Sequence, residues 1–284
     1  DFERETGIET GFPHGEIAGI IGEPIVGKSP LIAQLAISCN LDERPAIIIN
    51  TENKSLDPYI HFLAKRFEIK PQIKILTPSS LVDLFQTCGL ELDITYSKSG
   101  QPKVRLTPLK DYELLSVLED KEFKNSGFLG LDSFSMPLKN YLQQMQQTFA
   151  IRATLENQLF GQLLVLTKKF NLATVITHHI IVDITKPIFM QPSTVNPWGG
   201  PLIRYNTNTI LEIKKGYKSV ANALNTSKEF VHRVQRKRYI STVEAPDVWV
   251  WCKENYGYTE IPRDIYEKIP QIVKGKVEKE EDEN

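Results

Sequence analysis

The stretch Gly22-Glu23-Pro24-Ile25-Val26-Gly27-Lys28-Ser29 decides the fold, because it fits the pattern G-x-x-x-x-G-K-[ST] at every fixed position. Apolar residues typical of a buried strand precede it at 17–21, and a helical pattern follows it at 31–36. Between a strand and a helix, such a loop directs backbone N–H groups at phosphates. The sequence therefore predicts a nucleotide phosphate-binding loop. A turn with a surface lysine is the alternative.

Each part of this loop has a chemical reason to bind a nucleoside triphosphate. Lys28 would neutralise β- and γ-phosphate oxygens, and the Ser29 hydroxyl would bind Mg²⁺. Pro30 lies in the first helical turn, where proline is tolerated. It cannot donate the N–H that commonly reaches the α-phosphate, so we expect modestly weaker nucleotide binding. The predicted nucleotide-binding residues are Gly22, Glu23, Pro24, Ile25, Val26, Gly27, Lys28, Ser29 and Pro30.

Two acidic residues follow other apolar runs. Asp132 comes after Phe128-Leu129-Gly130-Leu131, so its carboxylate would emerge at the carboxyl end of a strand, where such sheets bind ligands. We predict that Asp132 and Ser29 hold Mg²⁺ together; an Asp that only caps the next segment is the alternative. Glu52 follows the strand pattern of 45–50 and would hold water in line with the γ-phosphate. Considered alone, Glu52 is an ordinary loop residue.

A histidine pair ends a strand pattern at 172–177. His178-His179 suggests a metal site, but the sequence offers no third ligand at a useful spacing. Neighbouring residues on a strand point to opposite faces. We therefore expect one imidazole to face the nucleotide and the other to pack.

The rest of the chain predicts an α/β fold with a mostly parallel central sheet flanked by helices, and antiparallel strands towards the C-terminus. Apolar runs of strand length alternate with amphipathic stretches of helix length. The segment 90–108 breaks this rhythm, because apolar and polar residues alternate around Ser97-Lys98-Ser99-Gly100, which predicts an inserted β-hairpin. We expect a single domain over 1–275 and an acidic, disordered tail over 276–284.

Composition excludes several classes of protein. The 284 residues include 34 Lys+Arg and 35 Asp+Glu, a net charge of -1, so the chain does not coat nucleic acid by bulk charge. No apolar stretch approaches the roughly 18 residues of a membrane span, and the charged N-terminus lacks the apolar core of a signal peptide. The three cysteines form no CxxC pair. We expect a cytoplasmic protein without a zinc finger, a disulfide framework or a membrane partner.

Several segments together resemble the RecA/RadA recombinase superfamily, and most of all an archaeal RadA or RadB paralogue. The segment 6–17 is similar to the family's G-[IF]-P-x-G-E-[IL] lead into the phosphate loop. Thr51-Glu52 is similar to the residues after the family's second strand, and Leu131-Asp132-Ser133 to its Walker B end. The segments 171–179 and 196–201 resemble the family's sensor strand and the P-x-G-G after its second DNA-binding loop. The resemblance covers roughly 6–261.

The resemblance implies a RecA-like core that binds ATP and Mg²⁺, hydrolyses ATP and binds DNA, expected to be single-stranded, in homologous recombination or DNA repair. It makes Glu52 the residue that positions the attacking water, with Lys28 and His179 as further catalytic residues. His179 stands where the family has the Gln that reads the γ-phosphate. Imidazole titrates near neutrality, so we expect altered signalling to DNA. The implied partners are DNA, a RadA-type recombinase and further copies of this chain.

The candidate DNA-binding residues lie in three places. The family's DNA-binding loops would fall near 133–147 and 182–197, and the strongest basic cluster lies at 232–239. DNA phosphates would explain this cluster; a strand edge protected by charge and a residue reaching a neighbouring subunit's nucleotide are the alternatives. The candidates are Lys139, Lys186, Arg233, Arg236, Lys237 and Arg238.

Departures from the family keep two other functions open. The sequence shows neither the N-terminal helical DNA-binding domain of RadA nor a clear Phe-x-x-Ala polymerisation motif, so we expect an accessory paralogue and not a full strand-exchange recombinase. One alternative is a KaiC-like RecA-fold ATPase that acts on protein partners, which DNA-stimulated turnover would exclude. The other is a nucleotide-switched binding module, which a Glu52→Gln change without effect on turnover would support.

Overall fold

Strands and helices alternate along most of the chain in this computed structural model, which describes residues 12–52, 54–96, 102–138, 149–179, 207, 209–227, 230–237, 248–253 and 257–273. The strands are β1 (Glu16–Gly22), β2 (Ala46–Asn50), β3 (Ile73–Leu76), β4 (Leu90–Tyr96), β5 (Pro102–Pro108), β6 (Phe128–Asp132), β7 (Ala173–His179), β8 (Thr209–Lys215), β9 (Val231–Lys237), β10 (Val248–Lys253) and β11 (Gly257–Glu260). The helices are α1 (Lys28–Leu41), α2 (Asp57–Arg66), α3 (Leu81–Thr87), α4 (Glu113–Glu119), α5 (Phe149–Lys169), α6 (Lys218–Ala223) and α7 (Arg263–Tyr266).

Nine strands form one sheet in the order β11-β10-β9-β8-β1-β7-β6-β2-β3. The pairs from β8 to β3 are parallel, and the pairs from β8 to β11 are antiparallel. This confirms the predicted α/β class with antiparallel strands near the C-terminus. Because parallel strands end at one edge, the carboxyl ends of β1, β2, β6 and β7 lie together. The register pairs Gly22 with His179 and Asn50 with Asp132 at that edge.

The sheet is buried on both faces, which explains the continuous apolar runs of its central strands. In β1, Ile17 and Ile21 belong to one core cluster, whereas Ala18 and Ile20 belong to the other. The first cluster includes residues of α5, and the second includes residues of α1 and α2. Full burial of one such side chain contributes about 1.5–3 kcal/mol, so the two clusters fix the strand ends that carry the site.

The predicted inserted hairpin forms a separate two-stranded sheet of β4 and β5. Leu90 and Leu92 join the core cluster that contains α5, and Val104 and Leu106 pack against it. The polar residues Glu91, Asp93 and Arg105 are exposed on the hairpin. The alternation predicted from sequence is therefore the alternation between a core face and a solvent face. The turn at 97–101 lies outside the described residues.

Several boundaries differ from the sequence patterns. The helix predicted from Ser79 begins at Leu81, because Ser80 is the N-cap and its hydroxyl accepts a hydrogen bond from the Asp83 N–H at 3.1 Å. The long helix predicted over 141–170 is described as Phe149–Lys169. The tail predicted over 276–284 lies outside the described residues. In the ranges that the structure describes, each helix is too short or too polar to cross a membrane.

Candidate active site

The phosphate loop follows β1, and several of its residues are closely packed or have unusual backbone angles. A Cβ on Gly22 would lie 2.8 Å from the Ile213 carbonyl oxygen of the neighbouring strand, so only glycine fits. Gly27 is the N-cap of α1 and has a φ of 85°, a left-handed conformation that glycine adopts without strain. Ile25 also has a positive φ, 67°, and its side chain is 79% exposed. The loop therefore holds a β-branched residue in a costly conformation.

Lys28 is buried inside the loop, and its side chain is only 5% exposed. Its Nζ donates hydrogen bonds to the carbonyl oxygens of Gly22 at 3.0 Å and Glu23 at 2.7 Å. Burial lowers the pKa of Lys28 from 10.5 to about 8, although the carboxylates of Glu52 and Asp132 act in the opposite direction. Because burial deprives the Lys28 ammonium of water, a nearby anionic ligand would stabilise its charged form.

Asp132 ends β6 and is 1% exposed. The Thr177 hydroxyl, at the end of the neighbouring strand β7, donates to its Oδ1 at 2.6 Å. Its Oδ2 is buried without a hydrogen-bond partner among the residues that the structure describes. Burial raises the pKa of Asp132, while the hydroxyls of Ser29 and Thr177 and the charge of Lys28 lower it. A buried carboxylate oxygen beside a hydroxyl fits the oxygen ligands that Mg²⁺ prefers.

A magnesium ion at this position would depend on ligands beyond the protein. Within the described ranges, no group of three His, Cys, Asp or Glu side chains could hold a metal ion. Mg²⁺ is commonly bound by one or two protein groups together with substrate phosphates and water. Ser29 and Asp132 fit that smaller requirement, since the phosphate loop lies beside them.

Glu52 is positioned by hydrogen bonds between the residues that follow β2 and the end of β6. The Thr51 N–H donates to the Asp132 carbonyl oxygen at 2.7 Å, and the Thr51 hydroxyl donates to the Ser133 carbonyl oxygen at 2.6 Å. The Glu52 N–H donates to the Asn50 side-chain oxygen at 3.1 Å. These bonds hold the Glu52 backbone against the end of β6. No local sequence pattern predicts these hydrogen bonds of Thr51.

The side chain of Glu52 forms a hydrogen bond with His179. The Nε2 of His179 lies 2.9 Å from the Glu52 Oε1, and both side chains are largely buried. This hydrogen bond is the main reason that the pKa of Glu52 is lowered; Lys54 and Lys28 add to it, and burial opposes it. Glu52 is therefore ionised at neutral pH. The Ser135 hydroxyl accepts a hydrogen bond from the His179 N–H at 3.0 Å, which fixes the end of β7.

His178 packs on the opposite face of β7, as the alternation of strand residues predicts. It is fully buried between the rings of Phe134, at a centroid distance of 5.5 Å, and Phe160, at 6.3 Å. Burial lowers the pKa of His178 to about 3, with the nearby charges of His179 and Lys28 adding to the effect. His178 is therefore a neutral core residue at neutral pH, and His179 is the member of the pair that faces the cavity.

Lys28, Glu52 and His179 line a cavity of about 670 Å³, within the size range of nucleotide and cofactor sites. The phosphate loop and the first turn of α1 form one wall. The residues that complete the lining are Glu52, Lys54, Ser55, Leu56, Pro58, Tyr59, Phe62, His179, Phe230, His232, Cys252 and Gly257. The cavity thus extends from the phosphate loop to α2 and to the C-terminal strands.

The structure describes the candidate DNA-binding residues only in part. Arg233 lies on β9, and its guanidinium stands over the Tyr217 ring at 5.7 Å. β9 is paired with β8 along 232–237 but with β10 only along 231–234, so Arg233 does not lie at a strand edge. Arg236 and Lys237 end the same strand, but their side chains are outside the description. The remaining candidates, Lys139, Lys186 and Arg238, lie outside the described residues.

The sequence also missed Thr177 and Tyr258. The Thr177 hydroxyl donates to Asp132, as described above, and the Tyr258 hydroxyl of β11 donates to the Val26 carbonyl oxygen of the phosphate loop at 3.0 Å. Thr177 stands at the end of a strand next to β6, which is a usable signal once the strand order is known. Tyr258 is 232 positions from Val26, and no local pattern points from one to the other.

A phosphate loop after the first strand, with acidic side chains at the ends of neighbouring parallel strands, defines a P-loop protein with a RecA-like fold. The structure is similar to a crystal structure of the RadB recombinase, with a TM-score of 0.58, 14% identity, and coverage of 89% of this chain and 93% of that one. The sequence is 25% identical over 206 residues to the DNA repair and recombination protein RadB of Methanococcoides burtonii, covering 72% of this chain and 76% of that protein. No protein-family profile matches the chain. The predicted resemblance to the RecA/RadA superfamily, and to RadB within it, is confirmed.

Proposed function

We propose that this chain is a Mg²⁺-dependent ATPase of the RecA/RadA class that binds single-stranded DNA in the cytoplasm and assists homologous recombination or DNA repair. One observation carries the proposal: Lys28 and Asp132 lie at one edge of the sheet with Glu52 and His179. The similarity to RadB of Methanococcoides burtonii, named as a DNA repair and recombination protein, supports the biological role.

ATP binding is assigned to the phosphate loop. The N–H groups at the start of α1 would contact phosphate oxygens together with the Lys28 ammonium. Bound Mg²⁺ would supply charge neutralisation at the phosphates, with Ser29 and Asp132 as its protein ligands. Because the pKa of Lys28 is already lowered to about 8, an anionic ligand would raise it again and favour the charged form. Pro30 lacks an N–H, so we expect the contact to the α-phosphate to be absent.

Glu52 has the properties of a group that orients water. It is ionised because its hydrogen bond with His179 lowers its pKa, so it can accept a hydrogen bond from a water molecule. His179 holds one of its two oxygens. His179 also lies three residues before 182–197, the segment that by resemblance contains the second DNA-binding loop. We therefore assign His179 to the link between the nucleotide and DNA.

DNA binding is assigned to the basic strand and to the two loops of the family. Arg233 lies on β9, one residue from His232, which lines the cavity. Arg236 and Lys237 follow on the same strand, and Lys139, Lys186 and Arg238 complete the proposed surface. A RadA-type recombinase and further copies of this chain are the protein partners we propose. We further propose that 1–275 is one ATPase domain and that 276–284 is its acidic tail.

Steady-state hydrolysis and equilibrium binding of Mg-ATP test the enzymatic part. Lys28→Ala should lose ATP binding, because the loop loses its ammonium. Glu52→Gln should retain binding but lose turnover by about 100-fold or more, the usual contribution of a positioned base. The exposed Lys74→Ala variant is the matched control and should behave as wild type. Turnover by Glu52→Gln equal to that of wild type would favour the nucleotide-switched binding module.

Fluorescence anisotropy with a labelled oligothymidylate tests the DNA part. Arg233→Glu should weaken binding and flatten its salt dependence, because phosphate contacts release counterions. Lys74→Glu changes the net charge by the same amount at a strand on the other side of the sheet. Equal binding by both variants would remove the β9 surface from the proposal. No binding by the wild type at low salt would favour an ATPase that acts on protein partners.

A further inference from the structure

Tyr258 connects the C-terminal strands directly to the phosphate loop. It lies on β11, its side chain is 7% exposed, and its hydroxyl faces the carbonyl oxygens of Val26 at 3.0 Å and Gly27 at 3.1 Å. The fit is close, because a Cβ on Gly27 would collide with the Tyr258 hydroxyl. A single O–H can be shared between these two acceptors.

The backbone of Tyr258 is held by two helices. Its N–H donates to the Gln34 side-chain oxygen at 2.8 Å, and its carbonyl oxygen accepts from the Gln34 Nε2 at 3.2 Å. Arg66 of α2 donates to the same carbonyl oxygen at 3.0 Å. A Cβ on the preceding Gly257 would lie 2.7 Å from a Leu63 methyl, so the turn into β11 requires glycine. The hydroxyl is therefore presented to the loop from a fixed position.

The two carbonyl groups decide which way the loop's N–H groups point. In a trans peptide the C=O and N–H point in opposite directions. Fixing the carbonyls of Val26 and Gly27 therefore also fixes the N–H groups of Gly27 and Lys28. The Val26 carbonyl precedes the helix, so no N–H of the helical ladder serves it. The Gly27 carbonyl accepts the first helical bond, from Leu31 at 3.2 Å, in addition to Tyr258.

Tyr258 also contacts the strand that carries the proposed DNA-binding residues. Its ring lies 5.7 Å from the ring of His232 on β9, and it pairs across strands with Cys252 of β10. His232 is the immediate neighbour of Arg233. A contact therefore runs from β9 through Tyr258 to the phosphate loop.

We propose that Tyr258 is a positioning residue for the phosphate loop, which turns the N–H groups of Gly27 and Lys28 towards the nucleotide and couples nucleotide affinity to the placement of β10 and β11. The inference rests on the proposed function, because it needs ATP to bind at this loop. By reciprocity, bound ATP must in turn stabilise β11.

Calorimetric titration of the full chain with Mg-ATP tests the role, with Tyr258→Phe as the variant. We expect the Kd to rise about fivefold, the effect of losing one neutral hydrogen bond. Tyr112→Phe is the matched control, because the Tyr112 hydroxyl is partly buried and accepts a hydrogen bond from Gln162 at 3.3 Å, away from the loop. Thermal midpoints of both variants report the structural cost alone. Hydrogen exchange of wild type should show slower exchange of the Gly257–Glu260 amides when ATP is bound.

The outcomes separate this inference from the proposed function. Mg-ATP binding that is lost in Lys28→Ala supports the nucleotide site whatever Tyr258 does. If Tyr258→Phe then binds as tightly as Tyr112→Phe, the positioning role is overturned and the nucleotide site stands. If Tyr258→Phe does not fold, hydrogen exchange of the wild-type protein tests the coupling instead. Amide exchange at Gly257–Glu260 that ATP leaves unchanged would overturn it. A wild type that binds no ATP overturns both.

Discussion

Replacing Lys28 by Met should stabilise the ligand-free protein while it abolishes ATP binding. Burial lowers the pKa of Lys28 from 10.5 to about 8, which at about 1.4 kcal/mol per pKa unit is a cost of about 3 kcal/mol for the charged form at pH 7. Met fills similar space without the charge. It also loses the two hydrogen bonds of the Nζ, an offset of about 1–2 kcal/mol. The net gain at pH 7 is about 1–2 kcal/mol.

The difference in stability between wild type and Lys28→Met should also depend on pH, because the pKa of Lys28 is lowered in the folded protein. A folded-state pKa below the unfolded value means that the unfolded chain binds more protons between about pH 8 and 10.5. The free energy of unfolding of wild type, relative to that of Lys28→Met, should therefore rise with pH, by about 2 kcal/mol between pH 7 and pH 9.5. Other titrating groups are common to both proteins, so they largely cancel in the difference.

Urea denaturation without nucleotide, at several pH values from 7 to 9.5, measures this difference. The exposed Lys74→Met variant is the control, and its stability should run parallel to that of wild type. A Lys28→Met stability that is lower than wild type at pH 7, with a difference that does not change up to pH 9.5, would refute the argument that Lys28 is held desolvated in the loop.

Three further predictions concern single contacts. Ile25→Gly should raise the free energy of unfolding by about 0.5–1 kcal/mol in urea, because it relieves a left-handed conformation at an exposed residue; a loss would contradict this. Wild type should lose stability by up to about 1.4 kcal/mol per pH unit below pH 6.5 through His178, whose folded pKa is about 3, and His178→Leu should lack this component in acid titrations of stability. Thr177→Val should lower the apparent Mg²⁺ affinity of the ATP-bound protein by about tenfold, because Asp132 loses its positioning hydrogen bond. An unchanged Mg²⁺ titration of ATP binding would exclude that role.

Local sequence signals were sufficient for the class of fold and for the parts of the site that lie next to strand ends. The phosphate loop, Asp132 and Glu52 each follow an apolar run, and parallel strands bring such ends to one edge. Alternation along β7 predicted that one of the two histidines packs and the other faces the site, but not that His178 is the one in the core. The positions of these residues could be predicted because each depends on one element and on a general rule about its neighbours, and their chemical roles stay predictions.

Contacts between distant segments could not be predicted. The bond from Thr177 to Asp132 depends on the order of strands in the sheet, and the bond from Tyr258 to Val26 joins the two ends of the described chain. The pairing of β9 on both sides is likewise a property of the sheet. A basic strand looks the same in sequence at an edge or in the interior, so the pairing of Arg233 on both sides could not be predicted.

The most direct test of the whole account is the rate of ATP hydrolysis measured against the concentration of single-stranded DNA, at low and at moderate salt. The account predicts that DNA raises turnover in wild type, more strongly at low salt. Lys28→Ala should abolish turnover, and Arg233→Glu should reduce the stimulation without changing the rate in the absence of DNA. Turnover that DNA leaves unchanged, in a protein that hydrolyses ATP, would contradict the assignment to recombination and would direct attention to protein partners.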